Sequence, residues 1–134
     1  MLPSELLELA RNICKQKAET QTVEIKSAHV DCPKRLYDTL SSFSNQDTGG
    51  VLLFGIDEKS GYQVVGVYDP QDLQKKVTEQ CNQMEPSVRA VFTLAEWKEN
   101  VWICSAEIPS LDLSERPGYY KGCLLYTSDA ADEL

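Results

Sequence analysis

The sequence predicts an α/β (α+β) fold: a mixed sheet with a strand-helix-strand crossover followed by antiparallel hairpins, with helices packed on the sheet. Three observations predict it. Apolar and polar residues alternate over Thr22–Lys26, a continuous apolar run spans Val51–Ile56, and an amphipathic segment lies between them. Alternation is typical of a half-buried strand, and a continuous apolar run is typical of a strand covered on both faces. A helical connection between two strands normally makes them parallel.

The first two predicted elements are a helix, Ser4–Lys17, and the strand Thr22–Lys26. The apolar residues of the helix recur along one side, which indicates an amphipathic helix with one buried face. In the strand, successive side chains point to opposite faces of the sheet. Glu24 and Lys26 are therefore expected side by side on the face opposite the two apolar residues.

The next predicted helix, Pro33–Ser44, has Pro33 near its start and a stripe of apolar side chains. It connects the first strand to the strand Val51–Ile56. The remaining predicted elements are a hairpin turn at 57–61, the strand Tyr62–Val67, a helix from Asp69 that ends before Pro86, and the antiparallel strands Val88–Leu94 and Asn100–Ile108.

The crossover brings acidic side chains toward one place. If the two parallel strands are neighbours, Glu24, Lys26 and Asp57 approach one another at their carboxyl ends, and Glu19 arrives from the preceding turn. Two carboxylates ~5 Å apart repel by roughly 3 kcal/mol, so the group needs a cation, a shared proton or the lysine as a neutraliser. One chemical answer is Mg²⁺ or Mn²⁺ on Glu19, Glu24 and Asp57, since hard cations favour oxygen ligands.

The same residues carry a family resemblance. The pattern ExxxxEIK at 19–26, FSNxxxGGxLxxGID at 43–57 and GYQVVGV at 61–67 resembles the Schlafen AlbA-like domain. The segment ERPGYYKG at 115–122 is similar to a later strand of that family, so the resemblance runs from about Leu6 to Gly122. It implies an α/β fold and DNA or RNA binding, as in the N-terminal module of a longer protein that resembles transcriptional regulators with an ATP-binding region.

The resemblance also implies an alternative activity. A related domain in animal Schlafen proteins is an RNA endonuclease with three metal-binding carboxylates, which correspond by motif position to Glu19, Glu24 and Asp57. In that hypothesis Lys26 is a fourth catalytic residue that stabilises charge developing on the phosphate. A third hypothesis is a protein-interaction or dimerisation domain whose carboxylates are solvated, and homo-oligomer formation is left open.

Several residues are candidate nucleic-acid contacts. Basic side chains occur at Lys26 and in the pair Lys34 and Arg35, and an aromatic side chain that could stack on bases occurs at Tyr120. Gly49 and Gly50 lie at a predicted helix-to-strand turn, where glycine is favoured because it can adopt positive φ. Their backbone amides could also contact a phosphate. The candidate contacts in full are Lys26, Lys34, Arg35, Asn45, Gly49, Gly50 and Tyr120.

The last twelve residues, CLLYTSDAADEL at 123–134, resemble the translation of a transposase-adapter oligonucleotide used in sequencing libraries. We therefore expect one domain at 1–122 and an artefactual tail at 123–134 joined to a truncated reading frame. On this expectation the final strand of the domain and any downstream domain are missing. Residues 129–134 should then be exposed and unpaired.

The net charge argues against a domain that binds DNA through its overall charge. The formal charge is −8, of which Asp129, Asp132 and Glu133 of the tail supply three, so the remaining chain carries −5. A sequence-independent DNA binder normally has a basic surface that neutralises phosphates. Any binding is therefore expected to depend on local clusters of cations.

The cysteines and the apolar pattern indicate a reducing compartment. Cys14, Cys32, Cys81 and Cys104 show no CxxC spacing, which disfavours a zinc site and favours small buried side chains. No signal peptide or membrane-spanning apolar run is recognisable. The sequence predicts a cytoplasmic location without membrane association.

Overall fold

The computed structural model describes residues 1–121, so the expectations for the tail lie outside the described residues. Within this range the helices are α1 (Pro3–Gln16), α2 (Tyr37–Ser44) and α3 (Pro70–Asn82). The strands are β1 (Val23–Lys26), β2 (Gly50–Phe54), β3 (Ile56–Asp57), β4 (Gln63–Val64), β5 (Met84–Glu85), β6 (Val91–Lys98), β7 (Val101–Ile108) and β8 (Tyr119–Tyr120). A short 3-10 helix spans Leu113–Glu115.

The central sheet has four strands in the order β1-β2-β7-β6. β1 and β2 are parallel and pair from Val23 with Val51 to Lys26 with Phe54, as a helical crossover predicts. β2 pairs with β7 and β7 pairs with β6, both antiparallel. The predicted mixed α/β fold is confirmed, with β1 and β6 at the edges of this sheet.

Hydrophobic cores lie on both faces of the central sheet. On one face α1 buries Leu6, Ala10 and Ile13 against alternate residues of the strands. On the other face α2 and α3 cover the intervening residues, including Leu52 and Phe54. The two faces alternate along β2 because successive side chains of a strand point in opposite directions.

The second helix is shorter than predicted. It begins at Tyr37 rather than at Pro33, because the side chain of Gln80 in α3 bonds the backbone of the preceding segment. Gln80 Oε1 accepts the Leu36 N–H at 2.9 Å, and Gln80 Nε2 donates to the Pro33 carbonyl oxygen at 2.7 Å. Those backbone groups are satisfied outside a helix, so residues 33–36 remain irregular.

The predicted strand Val51–Ile56 is interrupted at Gly55, which has φ +110°. Gly55 donates its N–H to the carbonyl oxygen of Lys26, and its own carbonyl oxygen accepts from Val65 and Gly66. The predicted strand Tyr62–Val67 is also shorter in the structure, where only β4 is formed. A glycine again interrupts it, because Gly66 has φ +82° and the chain then turns toward β7.

Two other boundaries also differ from the prediction. α3 ends at Asn82, and the next residues form β5, which pairs with β8. β6 begins three residues after the predicted start at Val88, whose N–H bonds the carbonyl oxygen of Cys81 at the end of α3. Packing between distant segments sets these limits, and no local pattern reveals it.

The cysteines behave largely as predicted. Cys32, Cys81 and Cys104 are buried, Cys14 is partly buried, and all four are free thiols. Burial raises the pKa of Cys104 to about 12, which keeps this thiol protonated and unreactive at neutral pH. No helix within residues 1–121 is long and apolar enough to cross a membrane.

Candidate nucleic-acid interface

The predicted Glu24–Lys26 pair forms on the edge strand β1. Val23 and Ile25 are buried, whereas Glu24 and Lys26 are half-buried on the opposite face. Lys26 Nζ lies 3.7 Å from Glu24 Oε1, and the Thr39 hydroxyl of α2 donates to Glu24 Oε2 at 2.5 Å. Both carboxylate oxygens of Glu24 therefore have partners from the protein, and Lys26 is ion-paired.

Glu19 lies near Glu24 in an acidic environment. Desolvation raises the pKa of Glu19, and the carboxylates of Glu24 and Glu58 raise it further, against a backbone hydrogen bond from Ile25 and the Lys26 ammonium. Glu58 is an acidic neighbour that the sequence analysis missed. Its only sequence signal is its position directly after Asp57 in the predicted turn.

Asp57 is engaged in that turn. β3 contacts β1, as the crossover predicts, and Asp57 Oδ1 accepts the backbone N–H of Lys59 at 3.2 Å. Among residues 1–121 there is no group of three or more His, Cys, Asp or Glu side chains arranged to hold a metal ion. As placed, Glu19, Glu24 and Asp57 do not form such a group. Ligation of Mg²⁺ or Mn²⁺ by these residues stays a prediction.

Lys34 and Arg35 lie in the irregular segment that precedes α2, which we call the cation segment (residues 33–36). Both side chains are exposed. Neither forms a salt bridge with any acidic group of the described chain, whereas Lys26, Lys76 and Lys121 each do. The two charges are therefore available to an external anion.

An aromatic pair adjoins the cation segment. The rings of Tyr37 and Tyr120 stack with centroids 3.7 Å apart and an interplanar angle of 15°. Desolvation and then Tyr120 raise the pKa of Tyr37, while the nearby Arg35 guanidinium lowers it. Tyr37 also donates its hydroxyl to Gln83 Oε1 at 3.1 Å. Sequence analysis selected Tyr120 and missed Tyr37, whose only signal was its place directly after the cations.

Asn45 contacts the backbone that leads into β8. Its Oδ1 accepts the Gly118 N–H at 2.8 Å, and its Nδ2 donates to the Gly118 carbonyl oxygen at 3.2 Å. Ser41 donates to the same carbonyl oxygen at 3.0 Å. Asn45 thus holds β8 beside α2, which keeps Tyr120 against Tyr37.

Gly49 and Gly50 are buried at the turn between α2 and β2. Gly49 has φ +65°, as expected for this turn, and its N–H already donates to the carbonyl oxygen of Gln46. Gly50 is required by space, since a Cβ there would lie 2.3 Å from the Phe43 ring. A groove of about 740 Å³ includes Gly50 and Glu107 among its lining residues and contains none of the candidate cations.

The structure therefore divides the predicted contacts into three groups. Arg35 is close enough to Tyr37 for its charge to lower the pKa of that phenol, Tyr37 stacks on Tyr120, and Lys34 directly precedes Arg35 in the cation segment. Asn45, Gly49 and Gly50 support that arrangement from within, and Lys26 lies with the carboxylates at the sheet edge. Lys34 and Arg35 share with other cations, such as Lys15, Lys17 and Lys75, their exposure and their lack of a salt bridge within the described chain. They are distinguished by their place in the chain shortly before Tyr37, whose ring stacks on Tyr120.

Comparisons with known proteins agree with this fold. Residues 19–127 match the model of the family described as Schlafen, AlbA_2. The N-terminal domain of a RecG-related protein from Nitrosomonas europaea, whose name relates it to ATP-dependent DNA helicases, is a structural neighbour with a TM-score of 0.69 and 25% identity. The match covers 90% of this chain and 81% of that one.

A second solved structure, the DIP2311 protein from Corynebacterium diphtheriae, has a TM-score of 0.49 and 15% identity, over 89% of this chain and 24% of that chain. No curated protein matches the chain.

Proposed function

We propose that this chain, which belongs to the Schlafen, AlbA_2 family, binds nucleic acid through the cation segment beside the Tyr37–Tyr120 stack. The observation that carries the proposal is the combination of two exposed cations, Lys34 and Arg35, that have no salt bridge within residues 1–121, and the stacked aromatic pair that adjoins them. The helicase-related name of the protein that contains the neighbouring domain supports the same class of ligand.

The cation segment explains how a domain of negative net charge could bind nucleic acid. Overall charge repels a polyanion at long range, but screening limits that repulsion to about 8 Å at physiological ionic strength. Within that distance Lys34 and Arg35 act directly on phosphates, and an arginine can bind a phosphate through two parallel hydrogen bonds. Phosphate contacts of this kind bind without reading sequence, so the proposal implies weak sequence preference.

The aromatic pair adds a second type of contact. Bases stack on aromatic side chains in proteins that bind single strands. Tyr37 and Tyr120 are half-buried, and the adjacent Tyr119 exposes 39% of its surface. We expect unpaired bases at this aromatic edge while the cation segment holds the backbone.

The test is direct binding of labelled single-stranded and duplex DNA and RNA, measured by fluorescence anisotropy. The variant Lys34→Ala/Arg35→Ala should bind about tenfold or more weakly than the wild type, because two phosphate contacts are lost. Its matched control is Lys15→Ala/Lys17→Ala, which removes two exposed positive charges near the end of α1.

Equal affinities of the cation variant and the wild type would contradict the proposed surface. An equal loss in both double variants would show that only net charge matters. Absence of binding by the wild type to every ligand would contradict the function itself and favour the protein-interaction alternative.

A further inference from the structure

Gln80 lies on α3 and reaches across to the cation segment. Its side chain accepts from the Leu36 N–H at 2.9 Å and donates to the Pro33 carbonyl oxygen at 2.7 Å. These two backbone groups bracket Lys34 and Arg35, so one side chain fixes both ends of the segment. We infer that Gln80 is a positioning residue that holds the two cations in place for phosphate contact.

This inference rests on the proposed function and adds a residue that contacts no ligand itself. Gln80 is 8% exposed, and its neighbours Val77 and Cys81 on α3 are buried. The amide is therefore held by a packed helix, while the segment that it bonds has no regular structure of its own. A short irregular segment that is held at both ends loses less conformational freedom on binding than a free one.

The chemistry requires an amide at this position. Its oxygen accepts from one backbone group while its nitrogen donates to another, and the side chain carries no charge. A carboxylate could accept from Leu36 but could not donate to Pro33, and it would bring a negative charge close to the cations. An aliphatic side chain of similar size would do neither.

Without Gln80 the cation segment has an alternative conformation, as an extension of α2. The residues directly after the segment form α2, and a helix beginning at Pro33 is the conformation that the local sequence predicts. Extension of the helix would move Lys34 and Arg35 onto successive positions about 100° apart around its axis. The two hydrogen bonds from Gln80 therefore select one presentation of the cations over another.

The experiment compares Gln80→Leu and Gln80→Met with the wild type at a temperature where all are folded, as established by their melting curves. Neither substitution changes charge. We expect binding to single-stranded DNA to weaken by about threefold to tenfold, and the dependence of affinity on salt to decrease, because fewer phosphates are contacted at once. Thr93→Val is the matched control, since Thr93 is equally buried and donates to the Met1 carbonyl oxygen on the other face of the sheet.

A double-mutant cycle separates positioning from a general effect on stability. In the Lys34→Ala/Arg35→Ala background, Gln80→Leu should cause no further loss of affinity, because the cations that it positions are absent. Unchanged affinity and salt dependence in folded Gln80→Leu would overturn the inference while leaving the proposed function intact. If the wild type binds no nucleic acid, both fail.

Amide hydrogen exchange supplies a measurement that needs no variant. The Leu36 N–H should exchange slowly in the wild type, because Gln80 accepts it in a buried position. Exchange of Leu36 as fast as that of the exposed backbone of Lys34 would overturn the inference, even if both Gln80 variants failed to fold.

Discussion

The side chain of Asn45 forms two hydrogen bonds with the backbone of Gly118, accepting its N–H at 2.8 Å and donating to its carbonyl oxygen at 3.2 Å. This pairing fixes the chain that leads into β8 against the end of α2. The sequence pattern suggested a contact with nucleic acid for Asn45. Its observed partners give it a supporting role in keeping Tyr120 stacked on Tyr37.

Asn45→Ala should therefore reduce stability. The substitution leaves the buried Gly118 backbone without its amide partners, which costs about 1–3 kcal/mol of unfolding free energy. Chemical denaturation of the variant and of the control Gln46→Ala, whose side chain bonds only the exposed Ser42 hydroxyl, measures the difference. An unchanged midpoint for Asn45→Ala would contradict the supporting role.

Gly49→Ala should be far more damaging than Gly61→Ala. Both glycines have positive φ, +65° and +84°, so alanine is strained at either position, by about 1–2 kcal/mol. A Cβ at Gly49 would also lie 2.3 Å from the backbone oxygen of Ile108, whereas at Gly61 no atom lies within 4 Å. Thermal melting should show a modest loss for Gly61→Ala and a much larger loss, or no folded protein, for Gly49→Ala. Equal losses would show that the backbone at Gly49 adjusts freely.

Glu19→Gln should raise stability at neutral pH. The pKa of Glu19 is raised in the folded protein above its ordinary 4.5, chiefly by desolvation and also by the carboxylates of Glu24 and Glu58, against the backbone hydrogen bond from Ile25 and the Lys26 ammonium. The contribution of Glu19 to stability is therefore complete below pH 4.5 and is lost as pH rises through the folded pKa. Glutamine has no carboxyl group to ionise, so the variant does not lose stability in this way as pH rises. Its Tm should exceed that of the wild type by a few degrees at most at pH 7 and match it more closely at pH 4.

Glu99→Gln, in the exposed turn between β6 and β7, is the control for that comparison. It should show no comparable gain between the two pH values. A lower Tm for Glu19→Gln at pH 7 than for the wild type would mean that Glu19 is stabilised in its charged form.

The carboxylates provide the test for catalysis. We expect the wild type to bind labelled RNA and DNA without robust metal-dependent cleavage, and Glu24→Gln to bind equally or more tightly, because one negative charge is removed. Incubation with and without Mg²⁺ or Mn²⁺, followed by gel electrophoresis, measures both. Metal-dependent cleavage by the wild type that Glu24→Gln abolishes would contradict this expectation and support the nuclease alternative.

The parallel crossover could be predicted from local patterns. Alternation around Glu24, the apolar run of β2 and the helical stripe between them each depend on residues close in sequence. The Glu24–Lys26 pair follows from the two-residue period of a strand, and the positive φ of Gly49 follows from the turn that it must make. Physical rules that act over a few residues were sufficient for these features.

Gln80 and Tyr37 could not be identified in the same way. The partners of Gln80 lie 44 and 47 residues earlier in the chain, and a glutamine in a helix ordinarily indicates a solvated face. The ring partner of Tyr37 belongs to β8, whose position depends on β5 and on Asn45. Such contacts exist only after tertiary packing. The same packing explains why α2 and β6 each begin later in the chain than the sequence predicts.

The most direct test of nucleic-acid binding through the cation segment is the salt dependence of affinity. For the wild type and Lys34→Ala/Arg35→Ala, the logarithm of the association constant is measured against the logarithm of salt concentration. If both cations neutralise phosphates, the slope of the variant should be shallower by about 1.8 for duplex DNA or about 1.4 for a single strand. Identical slopes for the two proteins would contradict the account.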